Sequence, residues 1–211
     1  MEEALVAATS ELLAESGPRA TSVRDIADRA GVNHAQVHHY FGGKRALLKE
    51  AMRRMARAHN DALHDITGDR PLPPAMTMPS ERYLQAVVRA TIEGDIELAG
   101  IELSEGGTSM WRGVLDHLTS LAGLTEPNMD VKAALAAGAA LQLGWLALEP
   151  IILLIADVQP EEKDEIRDRV RRTVYRVQAQ VGAETPQEPS PEPVVSDGKH
   201  PNGHQPSTAG S

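Results

Sequence analysis

Between Thr21 and Lys44 the chain reads TSVRDIADRAGVNHAQVHHYFGGK, a stretch that fits two short helices joined by a tight turn and little else. Ser22 or Thr21 is placed to cap the first helix by accepting a bond from a free backbone N–H. Val23, Ile26, Ala27 and Ala30 recur at spacings of three, four and three, which marks one buried helical face. Gly31 follows where the chain must turn sharply, because a residue without Cβ enters the left-handed region at little cost. Asn33 is a good cap for the next helix, and Val37, Tyr40 and Phe41 keep its inner face apolar. The outer face carries His34, Gln36, His38 and His39, polar groups without fixed charge that suit base edges in a major groove.

The whole chain, 211 residues with a net charge of −9, looks too acidic for such a partner until the charge is divided. Residues 1–60 hold nine Lys/Arg against seven Asp/Glu, a balance of +2, and the remainder holds twelve against twenty-three, a balance of −11. Local field decides whether phosphates are attracted, so the acidic total does not count against nucleic acid. Aromatics make up only 3% and β-branched runs are scarce, which favours an all-α fold. With no cysteine, thiolate catalysis and Cys-ligated zinc are excluded. The acidic opening Met1-Glu2-Glu3 predicts no secretory signal. The most apolar run, Leu141 to Ala156, includes Gln142, Glu149 and Pro150 and is expected to fall short of a membrane span. A cytoplasmic protein with no membrane partner is the expectation.

A first helix is predicted over Glu2 to Ser16, ended by Gly17-Pro18, and a long helix from Lys44 to about Ile66. The expected divisions are a helix-turn-helix domain at 1–45, a linking helix at 46–66, a second helical domain at 67–182 and a disordered tail at 183–211. Prolines 71, 73, 74 and 79 mark a loop. Beyond it, helices are expected from Ser80, over Met110 to Leu121, over Asp130 to Leu148 (buried on several sides, with Pro150 interrupting it) and over Pro160 to Val181. The last carries a stripe of Ile166, Val170, Val174, Val177 and Val181 that fits a helix–helix seam. The tail has six prolines and no apolar periodicity.

Two jobs divide the candidate site. Thr21 and Ser22 can donate hydroxyl and backbone N–H bonds to phosphate, and Lys44 opens a helix whose dipole already favours an anion. Base reading falls to His34, Gln36 and His38, with Ala35 offering a methyl to thymine. Arg24 can reach backbone or base. His34 and His38, four apart, also suit zinc, but no nearby carboxylate or cysteine completes a set, so no metal or other cofactor is expected. Arg53, Arg54 and Arg57 read as a solvated face. Glu97, Glu102 and Glu105 read the same way, without a partner for enzymatic work. In the second part Trp111, Trp145, Met76, Met78 and Met110 either fill the core or line a ligand cavity, and Glu149 beside an apolar run could orient the ligand.

The N-terminal residues resemble the DNA-binding domain of the TetR (tetracycline-repressor-like) family of bacterial regulators. Carrying the likeness are Thr21, the run Ile26-Ala27-Asp28-Arg29-Ala30-Gly31-Val32, then His39-Tyr40-Phe41 and Lys44-Arg45-Ala46-Leu47-Leu48. The resemblance implies a homodimer without enzymatic activity. Its three N-terminal helices would bind a near-palindromic double-stranded operator, and its larger domain would bind a small apolar effector. It also implies that Tyr40 touches backbone phosphate, beside an equal chance that Tyr40 and His39 pack between helices. His38 stands where the family often has Tyr, and Ala35-Gln36 where it often has Gly-Thr or Pro-Thr, so no relative's operator transfers to this chain. Control by a protein partner instead of a small molecule is the alternative at this point.

Overall fold

The computed structural model describes residues 1–67, 81–104 and 109–183, and the described residues are helical with no strand among them. In order they are α1 (Glu2–Ala20), α2 (Val23–Ala30), α3 (Ala35–Phe41), α4 (Lys44–Thr67), α5 (Glu81–Ile92), α6 (Ile96–Ala99), α7 (Ile101–Ser104), α8 (Met110–Leu121), α9 (Met129–Ile155) and α10 (Lys163–Ala183). The proline-rich loop, the Gly106-Gly107 break, Met76, Met78, Glu105 and the tail beyond Ala183 lie outside the described residues, as do the side chains of Val174, Val177 and Val181.

The main core joins α1 to α7. Leu5, Leu13, Ile26, Val37, Leu47, Met52, Leu84 and Leu98 are fully buried in it. α1 lies against α2, α4 and α5, so the small N-terminal helices rest on the long ones rather than on each other alone. Burying one such aliphatic side chain is worth about 1.5–3 kcal/mol, which is what holds these short helices in place. A smaller cluster of Met110, Val114, Leu118, Val131 and Ala134 joins α8 to α9.

Gly17-Pro18 breaks α1 as expected, but the chain resumes helix to Ala20 instead of leaving it. Gly17 adopts φ 82°, ψ 172°, a conformation nearly confined to glycine, and Pro18 begins the next turn. The short helices α6 and α7 went unanticipated.

α9 departs furthest from expectation. It runs unbroken through Pro150 to Ile155, with Pro150 itself exposed. At 27 residues, with a mean hydropathy of 1.7 over its most apolar window, α9 is long and apolar enough to cross a membrane, which corrects the expectation of a short run. Nor is it buried on several sides. Val131, Ala134, Gly138 and Leu153 are buried, and Leu143 and Leu146 are partly buried against the main core, while Leu154 and Ile155 are 73% and 79% exposed; its neighbours are α5, α8 and α10.

Candidate nucleic-acid interface

α2 starts on a reciprocal cap. Ser22 Oγ accepts from the Asp25 backbone N–H at 3.1 Å, while Asp25 Oδ2 accepts from the Ser22 N–H at 3.1 Å and its hydroxyl at 2.6 Å. Those bonds, the hydroxyl's first, hold the Asp25 carboxyl below its ordinary value. Ile26 and Ala27 enter the core, and Arg24 stands outside in a loose 3.7 Å pair with Asp28. Gly31 ends α2 in the left-handed region (φ 66°, ψ 32°), and the Val32 N–H reaches back to the Ala27 carbonyl at 3.0 Å.

The next helix is set by Asn33, whose Oδ1 accepts from the Ala35 N–H at 2.9 Å. Fully buried Val37 anchors α3, with Phe41 packed partly against the same core. That anchor turns His34, Ala35, His38 and His39 outward, with Gln36 half-buried beside them. Among the described residues the side chains of His34, Gln36 and His38 have no hydrogen-bond or ion-pair partner. Tyr40 is 42% exposed and meets His39 edge-on, ring centroids 5.0 Å apart, so contact and exposure coexist in that pair. Gly42 closes the helix at φ 74°.

Thr21 requires correction. It is 1% exposed and its hydroxyl donates to the Gly17 carbonyl at 2.7 Å, so it secures the α1–α2 corner and has no hydroxyl to offer a phosphate. The Ser22 hydroxyl is likewise given to Asp25, although Ser22 itself is exposed. Lys44 is the first residue of α4, as expected, and its Nζ donates to the Pro18 carbonyl at 2.8 Å, tying α4 to the same corner. Two of its three ammonium donors remain for other acceptors. Further along α4, Arg45 bonds Asp95 and Glu97, Lys49 bonds Glu97, and Arg54 is held by Glu2, Glu3 and Glu50. These cations are occupied within the chain.

The candidate ligand residues fare differently. Trp111 packs with Val114, Leu118, Ala134 and Leu135 along the seam between α8 and α9, and Trp145 is half-buried. Glu149 does not stand ready for a ligand: Arg167 Nη2 lies 2.6 Å and Nε 2.8 Å from its Oε1, clamping α9 to α10. Of the acids read as a solvated face, Glu97 is exposed and Glu102 is half-buried. Glu97 pairs with Arg45 and Lys49, and Glu102 accepts from the Tyr83 hydroxyl at 2.5 Å and the Met110 N–H at 3.1 Å. A sequence signal for this second cluster was His59, four residues beyond Met55 on the apolar face of α4, where it is completely buried. Among the described residues no three His, Asp or Glu side chains are grouped to hold a metal ion.

Residues 5–51, which span α1 to α3 and the start of α4, match the model for bacterial regulatory proteins of the tetR family. The chain carries a TetR-family DNA-binding domain. The TetR-type chain is 26% identical over 164 residues to the HTH-type transcriptional repressor Rv3405c of Mycobacterium tuberculosis, covering 78% of this chain and 81% of that one. It is 31% identical over 115 residues to the HTH-type transcriptional repressor KstR2 of Rhodococcus jostii, covering 54% and 49%. The backbone is similar to a crystal structure described as a TetR-family transcriptional regulator from Mesorhizobium loti, with a TM-score of 0.54 at 16% identity over 86% and 95% of the two chains, a likeness of fold. The protein is a DNA-binding transcriptional regulator, not an enzyme.

Proposed function

We propose that the protein is a cytoplasmic homodimeric repressor that holds a near-palindromic operator and is released by a small apolar effector bound in the helical part beyond α4. The observation that carries the DNA half is the outward face of α3, where His34, Gln36 and His38 are unpartnered on a helix pinned by Val37. Gln36 offers a bidentate pair to adenine, the histidines donate to guanine acceptors, and the Ala35 methyl meets thymine. Asn33, Arg24, His39, Tyr40 and Lys44 contribute phosphate and register contacts, Lys44 through the donors not given to Pro18, while Ser22, whose N–H and hydroxyl both serve Asp25, holds the start of α2 in place.

Supporting the dimer is α9, whose uncovered side carries small Ala133, Ala137 and Ala140 and then Leu141, Leu148, Ile151 and Ile155. A second copy packed there would bury the stripe and set two α3 helices about 34 Å apart, one turn of duplex. The effector acts by binding better to a dimer whose reading helices are wrongly spaced. Two relatives, Rv3405c and KstR2, are named as repressors, which favours this sign of regulation.

The test is electrophoretic retardation of DNA selected by the purified protein from a random pool. Replacing Gln36 and His38 by Ala together should weaken binding by roughly tenfold or more, at about 1–3 kcal/mol per specific contact. Unchanged retardation by a folded double variant would remove α3 as the reading helix.

A further inference from the structure

The core of the helical part contains a polar cluster that the DNA-binding reading does not use. His59 on α4 is 0% exposed, and neither ring nitrogen has a hydrogen-bond partner. Its ring lies 5.2 Å from that of Tyr83 on α5, centroid to centroid. The Tyr83 hydroxyl donates to Glu102 on α7, whose other oxygen accepts the Met110 N–H at the start of α8. Next to Met110, Ser109 is 1% exposed and its Oγ also lacks a partner. Burial holds His59 below the ordinary histidine value despite the attraction of Glu102, and burial foremost raises the Tyr83 phenol, so both are neutral. A neutral imidazole has one donor and one acceptor, and a hydroxyl has both. Leaving such groups dry is unfavourable, a cost that a bound partner would remove.

We infer that His59 and Ser109, backed by the Tyr83–Glu102 pair, form the hydrogen-bonding end of an effector site for an apolar molecule bearing one uncharged hydroxyl. The inference rests on the reading that this part of the protein binds an effector. A hydroxyl can serve either ring nitrogen, donating to the bare one or accepting from the N–H, and needs no charge to do so. The Glu102 carboxylate disfavours an anion, and both of its oxygens already accept bonds, so no oxygen is set aside for a cation. Met55 and Met52 lie about one and two turns before His59 on α4, and Met110 follows Ser109; all three are buried, and their unbranched thioethers can repack around an aliphatic body.

The probe is 1-octanol, with octanoate as its anionic counterpart, titrated into the full chain by calorimetry and by nitrogen NMR of labelled histidines. Octanol should saturate a single site and shift a ring signal that is missing in His59→Phe. That variant should bind octanol roughly tenfold more weakly, and octanoate should bind the native protein more weakly by a similar factor. Ser109→Ala provides the same comparison should His59→Phe not fold. The inference is overturned if octanol does not saturate, if it binds native protein and variant alike, if octanoate binds as tightly, or if the cluster holds a water only. Retardation of selected DNA without octanol is scored separately: retained retardation with failed octanol binding removes this site alone, and lost retardation removes the DNA reading alone.

Discussion

Replacing Gly17 by Ala should destabilise the protein by about 2–4 kcal/mol, through two effects of unequal size. The larger is conformational. Gly17 sits at φ 82°, ψ 172°, and placing a side chain in that region costs about 1–3 kcal/mol. The smaller is a displaced neighbour. A Cβ built there would lie 2.3 Å from Glu93 Oε1, and Glu93 is a flexible chain that can swing away. Swinging away breaks its 2.7 Å bond from the Arg19 N–H, an exposed contact worth about 1 kcal/mol. For a chain of this size each kcal/mol lowers Tm by about 2–4 °C, so calorimetry should record a fall of roughly 4–16 °C. In a Glu93→Ala background the same substitution should cost about 1 kcal/mol less, since no carboxylate remains to be moved. DNA affinity should drop as well, because Thr21 and Lys44 both bond carbonyls of this corner. A Tm within 1 °C of the native protein would refute the account of how α1 turns into α2.

Ser22→Ala removes the reciprocal cap on α2 and should cost about 1 kcal/mol in denaturant unfolding, while Ser22→Thr, which keeps a hydroxyl to accept from the Asp25 N–H and donate to its carboxylate, should cost less. His59 has a folded pKa depressed by burial, so the unfolded chain takes up its proton first as pH falls. Its contribution to stability is therefore complete above the ordinary histidine value and is lost as pH falls from there through the folded pKa. Native protein should thus lose more Tm between neutral pH and pH 5 than His59→Phe does; equal losses would show that His59 is not the group responsible.

The local signals read well wherever one short-range interaction decides the outcome. Gly31 and Gly42 take positive φ, and Asn33 and Ser22 cap through their own side chains, so both helices of the turn were legible. What was not legible depends on partners far along the chain. Thr21 looks like any hydroxyl at a helix start, yet α1 and α2 close over it. Glu97 is exposed as a solvated face requires, but the partners of Glu97 and of half-buried Glu102, namely Arg45, Lys49 and Tyr83, arrive from α4 and α5. Glu149 looks free because Arg167 is a whole helix away. In α9 the misreading had a different source: its apolar composition looks like that of a buried helix, but among the described residues Leu141, Leu148, Ile151, Leu154 and Ile155 stay exposed.

A footprint on the selected operator tests the central claim most directly. Hydroxyl-radical cleavage with bound protein should show two protected patches related by a two-fold axis, their centres about one helical turn apart, and both should fade in the Gln36, His38 double variant. A single patch, or protection that ignores sequence and survives those substitutions, would contradict it.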